Sequence, residues 1–318
     1  VVRSYYAVLE LEQRVRNQRE NLTGIAMATR RAEELGRAGR ISEIQVNLSR
    51  QTELSARDRL AVAIEAASAR LDQFKVQLGL PADARIELET ADLDALTTPP
   101  PGGTAISEEE AIRDALARRL DLRIAREQVE DARRKIRVAE DALRAGIDLT
   151  ATARAGDRRS GGSSGGENAE LRFDRGTYGL GLALDLPWER TAERNAYRKS
   201  LVALEAAERD LESAEDQVKS EVRNVYRTLR QARTVCQIQE QALALAQRRV
   251  ESTTMMLEAG RAEMRDLVEA RDALLQAQNG LTAARISYRL AELDFFRSLE
   301  RLTVSEDGRM EDLHVAQQ

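Results

Sequence analysis

The 318 residues include 32% charged and only 3% aromatic residues, with a net charge of −5. A bias towards Ala, Leu, Glu and Arg is typical of long helices and coiled coils, and 42% hydrophobic residues in regular spacing argue against disorder. The small net charge gives no reason to expect a nucleic acid partner, and the isolated Cys236 and His314 exclude a disulfide framework or a metal cluster.

The first two segments are a helical region and a linker. Residues 1–80 are predicted to form helices joined by a turn at Ala38, Gly39 and Arg40. Prolines divide the linker, 81–106, from its neighbours because proline breaks helices. Within the linker, IELET (86–90) predicts a short strand and TTPPPGG (97–103) predicts a loop.

The chain contains an internal similarity. AGRISEIQVNLSRQTELSAR (38–57) aligns with AGRAEMRDLVEARDALLQAQ (259–278) at an offset of 221 positions, and the same offset places Tyr5 on Tyr226 and Phe74 on Phe295. Roughly one position in six is identical, and the matched glycines and aromatic residues favour a duplication. At this offset Val1 falls on Val222, deep inside a predicted helix. We therefore expect the chain to be a fragment that lacks its true N-terminal segment.

Residues 107–145 are predicted to form one helix, which Ser107 and Glu110 begin as a capping box. The segment 146–187 then changes to period two, which predicts a β-hairpin around a flexible polar loop, DRRSGGSSGGENAE (157–170). The first strand places Ile147, Leu149, Ala151 and Ala153 on one face. The second strand places Tyr178, Leu180, Leu182, Leu184 and Leu186 on one face, with Gly179, Gly181, Ala183 and Asp185 on the other.

Residues 188–302 are predicted to contain a very long helix and a return helix. The first runs from about 190 to 258 without a break, which corresponds to a helix on the order of 100 Å long. The return helix, after Ala259, Gly260 and Arg261, has a seven-residue repeat that predicts a left-handed coiled coil. One column holds Leu267, Leu274, Leu281, Tyr288, Phe295 and Leu302, and the other holds Ala270, Ala277, Ala284, Ala291 and Ser298. Residues 303–318 are predicted to be a polar tail.

These features together resemble the TolC-type outer membrane efflux proteins, over about residues 1–303. The residues that carry the resemblance are RRLDLRIAREQVEDARRKIRVAEDAL (118–143), YGLGLALDLP (178–187) and EAGRAEMRDLVEARDALLQAQ (258–278). The resemblance implies a mainly α fold, with long antiparallel coiled-coil helices that form a trimeric α-barrel. It also implies that the β-hairpin contributes to a transmembrane β-barrel in the outer membrane of a Gram-negative-type cell, with the helices in the periplasm.

The resemblance also implies partners and a function. The expected function is an exit duct of a tripartite efflux or type I secretion system, built as a homotrimer that meets a periplasmic adaptor and an inner-membrane pump. One hairpin per chain gives six strands per trimer, fewer than the eight of the smallest known membrane barrels, so the missing segment should supply a second hairpin. The family's closing tyrosine and arginine correspond to Leu257 and Ala262, which argues against a latch of that type. No cofactor is expected.

Site residues follow from the same resemblance. It assigns adaptor docking to the two turns between helices, here called the tips: Ala38, Gly39, Arg40, Ala259, Gly260 and Arg261. The alternative is that each tip is an ordinary turn between two helices. Tyr178, Leu180, Leu182 and Leu184 are expected to face lipid. Asp266 and Glu269 are expected to ring the narrow end of the pore, or else to be solvated surface charges.

Two function classes remain open at this stage. No nucleophile and base are visible, and carboxylates on a coiled coil lack the enclosed pocket that pKa tuning needs, so an enzyme is not expected. The chain is either an outer membrane duct, whose hairpin enters lipid, or a periplasmic structural or adaptor-like coiled coil, whose hairpin belongs to a soluble domain.

Overall fold

A computed structural model describes residues 1–81, 83–86, 88, 93, 96, 106–154, 177–186 and 188–302. Its helices are α1 (Val2–Arg37), α2 (Glu43–Gln77), α3 (Glu108–Arg118), α4 (Leu120–Asp141), α5 (Thr191–Glu258) and α6 (Met264–Ser298). Its strands are β1 (Gly146–Arg154) and β2 (Thr177–Asp185). None of the helices described is both long and apolar enough to cross a bilayer. The predicted 157–170 loop, the 97–103 loop, most of the 86–90 strand and the 303–318 tail lie outside the described residues.

The chain divides into two compact units. One contains α1, α2, α3, the part of α5 from residue 218 onward, and α6. The other contains α4, the hairpin and α5 up to residue 217, where Arg126 pairs with Glu215 at 3.3 Å and Arg133 with Glu208 at 3.2 Å. The long helix predicted from about 190 to 258 is confirmed as α5.

The single helix predicted for 107–145 is corrected by the structure. It begins as expected, because the backbone N–H of Ser107 donates to Glu110 at 2.9 Å and the N–H of Glu110 donates to the Ser107 hydroxyl at 3.2 Å. At Arg119, however, the backbone is extended (ψ 126°), and a new helix starts. Asp121 accepts hydrogen bonds from the Arg119 guanidinium (2.7 Å) and from the backbone N–H of Leu122 (2.8 Å), which stabilises the break. The helix then ends at Asp141 rather than at 145.

The internal duplication is visible in the packing of the first unit. The ring centroids of Tyr5 and Phe74 lie 6.3 Å apart, and those of Tyr226 and Phe295, at the same offset of 221, lie 5.9 Å apart. Buried side chains recur at that offset in the pairs Val8 and Leu229, Val15 and Cys236, Val46 and Leu267, Ala63 and Ala284. The hairpin of α1 and α2 therefore corresponds to the end of α5 together with α6.

Helix α6 packs on two neighbours. The predicted heptad columns are buried or half-buried, and Leu281 and Ala284 contact Cys236 of α5. A second seam, which the sequence analysis missed, faces α1: Ile286 packs with Leu9, and Asn279 accepts a hydrogen bond from Asn17 at 2.9 Å. Since α1 also packs on α2, the main contacts run in the order α2, α1, α6, α5, and Arg59 of α2 also reaches Asp272 of α6 at 3.2 Å.

Four helix ends share one backbone arrangement. Gly39, Gly79, Gly260 and Glu300 have φ values of 68°, 72°, 67° and 51°. In each case the backbone N–H of the following residue donates to the carbonyl five positions before it. Arg40 donates to Leu35 at 2.9 Å, and Arg261 donates to Met256 at 2.8 Å. This Schellman arrangement favours glycine. Glu300 is the exception, at the position that corresponds to Gly79.

We predict that Gly79→Ala destabilises the protein by about 1–2 kcal/mol, because a side chain with Cβ is disfavoured at positive φ. A Cβ at Gly79 would meet nothing within 4 Å, so the cost is one of backbone conformation alone. Glu300→Gly should shift stability the other way, by about 1 kcal/mol. Urea unfolding of the full-length protein measures both. Ala38→Gly, at φ −79°, is the control and should not stabilise; equal effects at Ala38 and Glu300 would contradict the assignment.

Candidate functional site

The hairpin separates apolar from small and polar side chains on its two faces. The strands pair antiparallel, with Ile147 opposite Leu184, Leu149 opposite Leu182, Ala151 opposite Leu180 and Ala153 opposite Tyr178. Because alternate residues of a strand point to opposite faces, all eight share one face. Asp148, Thr150, Thr152, Gly179, Gly181 and Ala183 share the other. This register places the apolar faces that were predicted for the two strands on the same side of the hairpin.

The apolar face is exposed in the isolated chain. Its six large side chains, Ile147, Leu149, Tyr178, Leu180, Leu182 and Leu184, are between 54 and 79% exposed. A sheet of a water-soluble domain buries its apolar face against a core. Here every residue of both strands is exposed except Gly146, which is half-buried.

Both predicted tips are exposed turns with fixed backbones. Residues 38–40 and 259–261 are exposed in each turn. The carbonyls at the ends of α1 and α5 are satisfied by the N–H groups of the turns, including Gly39 to Gly36 at 3.0 Å and Gly260 to Leu257 at 3.1 Å. Neither Arg40 nor Arg261 has an ion pair within the part of the chain that the structure describes.

The two tips lie next to each other. Ile41, which follows the first turn, packs in the same apolar cluster as Leu257 and Met264, which flank the second. Ala32 of α1 is completely buried in this cluster. Arg31 and Glu258 add an ion pair at 2.7 Å between the ends of α1 and α5. The tips therefore form one continuous surface.

Asp266 has a structural role that the sequence analysis missed. Its carboxylate accepts a hydrogen bond from the backbone N–H of Glu263 at 2.9 Å, and the Glu263 side chain accepts one from the backbone N–H of Asp266. The two residues form a capping box at the start of α6. The pattern was missed because glutamate is not among the residues that usually begin a helix.

Glu269 lies one turn further along and is paired with two arginines. Its carboxylate is 3.0 Å from the Arg265 guanidinium and 4.0 Å from that of Arg249 on α5, and its side chain is 51% exposed. Both predicted pore residues are thus exposed near the tip. The negative charge of Glu269 is partly balanced by these two arginines, whereas Asp266 bonds to the backbone N–H of Glu263.

Few of the described side chains are arranged for metal binding or for nucleophilic catalysis. Across the described ranges, no three His, Cys, Asp or Glu side chains converge in a way that could hold a metal ion. Cys236 is buried between α5 and α6, and burial raises the pKa of its thiol, which disfavours the reactive thiolate.

Two comparisons with known sequences agree on one protein family. A profile of the outer membrane efflux proteins matches residues 111–299. The outer membrane protein TolC of Escherichia coli K12 is 26% identical over 195 residues, which cover 60% of this chain and 40% of TolC. The chain therefore matches less than half the length of that relative.

Solved structures show the same fold. The crystal structure of VceC from Vibrio cholerae superposes with a TM-score of 0.67 and 16% identity, over 94% of this chain and 68% of VceC. The open state of the MtrE outer membrane channel of Neisseria gonorrhoeae gives 0.61 and 17%, over 94% of this chain and 66% of MtrE. The long helices and the β-hairpin thus follow the architecture of these channels.

Proposed function

Because the chain belongs to the outer membrane efflux protein family, we propose that the complete protein is an outer membrane exit duct. In this proposal a periplasmic adaptor and an inner-membrane pump form a tripartite efflux or type I secretion system with it. The duct passes small molecules or proteins from them to the outside. The family consists of channels rather than enzymes, and the proposal includes no catalysis.

The exposed apolar face of the hairpin is the observation that carries this proposal. Two strands of nine residues each match the ~9–11 residues that a tilted strand needs to cross a bilayer. Leucines paired with apolar residues would face lipid, and the glycines, threonines and Asp148 would face the lumen. The alternative, a periplasmic coiled coil, would leave this face in water, which costs about 25 cal/mol per Å² of apolar surface.

The duct in this proposal is a homotrimer whose helical layers join edge to edge. Helix α6 packs on α5 and on α1, so its neighbours form a layer rather than a closed bundle around one core. The outer helices of the layer expose large apolar side chains, namely Ile44, Leu54, Val62 and Val76 on α2 and Ile238 and Leu245 on α5. Contacts between copies would bury them, since exposed apolar patches of this kind mark interfaces.

The first test concerns the membrane face. Leu182→Arg should destabilise the membrane-inserted protein by roughly 2–4 kcal/mol, because the charge would lie in hydrocarbon. Gly181→Arg is the matched control: it points to the other face, where the nearest atom to a new Cβ is a backbone oxygen at 4.0 Å, and it should be tolerated. Membrane fractionation and heat stability of the full-length trimer give the readout. Equal tolerance at both positions, or recovery of the wild type in the soluble periplasm, would refute the duct.

The second test concerns adaptor docking at the tips. Arg40→Glu with Arg261→Glu should abolish export and adaptor crosslinking, because the exposed guanidinium donors would be replaced by acceptors of opposite charge. The trimer should remain in the membrane, since neither side chain has an ion pair among the described residues. Arg30→Glu, on the exposed surface of α1, is the control. Loss of the trimer in the double variant would mean that the arginines serve folding rather than docking.

The third test concerns the pore. In the proposed trimer, Asp266 and Glu269 would surround the narrow end with carboxylates, which favour cations and bind multivalent metal ions. Asp266→Asn with Glu269→Gln should lower cation selectivity and divalent block in planar bilayers. Asparagine can still accept the Glu263 N–H, so the helix cap is retained. Glu53→Gln, in an ion pair on α2, is the control. Unchanged selectivity in the double variant would make both acids ordinary surface charges.

A further inference from the structure

The contact between α1 and α6 joins the two repeats within one chain, and it keeps one antiparallel register along its length. Five pairs of residues in contact define this register: Arg3 and Asp294, Leu9 and Ile286, Asn17 and Asn279, Gly24 and Arg271, Ala32 and Met264. Residue numbers therefore rise along α1 as they fall along α6.

The duplication gives each of these two helices a counterpart with an open surface. At the offset of 221, α1 corresponds to residues 223–258, the end of α5, and α6 corresponds to α2 with identical bounds. Asn17 and Gly24 are buried where α1 meets α6, whereas their counterparts on α5, Ile238 and Leu245, are 54 and 63% exposed. The surface that α6 covers on α1 is thus uncovered on α5.

The counterparts of Leu9 and Ile286 carry opposite charges. They are Arg230 on α5 and Glu65 on α2, and both are exposed. Neither has an ion pair among the described residues. An apolar pair in one place is replaced by a cation and an anion in the other, and this double change preserves an attraction only if the two positions meet.

The exposed apolar residues of the two helices fit the same register. Ile238 lies two turns after Arg230 on α5, and the register places it opposite Asp58 of α2, the counterpart of Asn279. Leu54 and Val62, four residues to either side of Asp58, are 63 and 62% exposed. Since residues four apart share a helix face, these two side chains would lie on either side of Ile238.

We propose that α5 of one copy packs along α2 of the next copy in the register that α1 and α6 use within the chain. Arg230 then pairs with the partner's Glu65, and Ile238 lies between the partner's Leu54 and the partner's Val62. The occupant is a second copy because the complementary surfaces are both on this chain, while α2 and α5 of one chain are separated by α1 and α6. Two different surfaces that meet in this way close copies into a ring. The inference rests on the proposed homotrimer and specifies its contact.

The register is tested by crosslinking in the full-length protein, with Cys236→Ala and alanine at any further free cysteine. Glu65→Cys with Arg230→Cys, and Asp58→Cys with Ile238→Cys, should each be linked between copies by a short bifunctional thiol reagent. Denaturing gels should then show species of two and three chains. The controls exchange the partners, as Asp58→Cys with Arg230→Cys and Glu65→Cys with Ile238→Cys. Each control is about two turns, or roughly 10 Å, out of register, and its linked species should be lost.

The charge pair is tested separately by reversing it. Glu65→Arg alone, or Arg230→Glu alone, should lower the temperature at which the trimer dissociates, because each variant places like charges together. The double variant restores opposite charges and should recover most of the loss. If the double variant is no more stable than the single variants, the pairing of Arg230 with the partner's Glu65 is refuted.

The outcomes separate this contact from the proposed function. Linking of the two matched pairs alone supports the register. Equal linking of the matched and exchanged pairs, links within one chain, or a trimer in which none of the four pairs is linked would refute the register and leave the duct standing. If the wild type is not a trimer in detergent, the proposed homotrimer fails, and the contact between copies fails with it.

Discussion

Helix α6 must bury two of its faces at once, and the arrangement of the helical unit depends on this requirement. The heptad columns face α5, where Leu281 and Ala284 meet Cys236, and the second seam faces α1, where Ile286 meets Leu9. With about 3.6 residues per turn, the two seams lie roughly 150° apart around the helix. A helix with neighbours on nearly opposite sides cannot belong to a bundle around one central core. It belongs to a layer of helices, as in the channel structures that share this fold.

The duplication explains how one chain supplies two similar pairs of helices. The contacts between the two repeats differ in kind from the contacts within each repeat. Within each repeat, aromatic and small apolar residues pack in the same way, as the pairs Tyr5–Phe74 and Tyr226–Phe295 show. Between the repeats, the contacts are more polar: Asn17 bonds to Asn279 at 2.9 Å, and Arg59 pairs with Asp272 at 3.2 Å. Asn17 is buried, so its amide would be left unsatisfied if the helices slid past each other. The polar contacts therefore fix the register of two halves that apolar packing alone would leave free to shift.

The sequence predicted those features in which one periodicity governs one face. The two faces of the hairpin and the heptad columns of α6 were predicted because period two and period seven are each uninterrupted there. The second seam of α6 was missed because it mixes apolar Ile286 with polar Asn279, so no apolar repeat marks it. The helix break at Arg119 was missed because no proline or glycine marks it; short-range hydrogen bonds to the Asp121 carboxylate stabilise it instead. The lipid, docking and pore assignments depend on surroundings that a single chain does not contain, and they remain predictions.

At the tips, the same backbone that ends each helix also determines what the surface can present. The Schellman bonds at Gly39 and Gly260 satisfy the carbonyls at the helix ends, so the arginines that follow are not needed to cap them. Asp266, in contrast, is needed for capping. Its carboxylate accepts a hydrogen bond from the Glu263 backbone N–H, which fixes the position of one negative charge. Glu269, balanced by Arg265 and Arg249, contributes less net charge than its carboxylate alone. The electrostatic character of the tip is therefore set by one fixed acid, one compensated acid, and Arg40 and Arg261, which have no ion pair among the described residues.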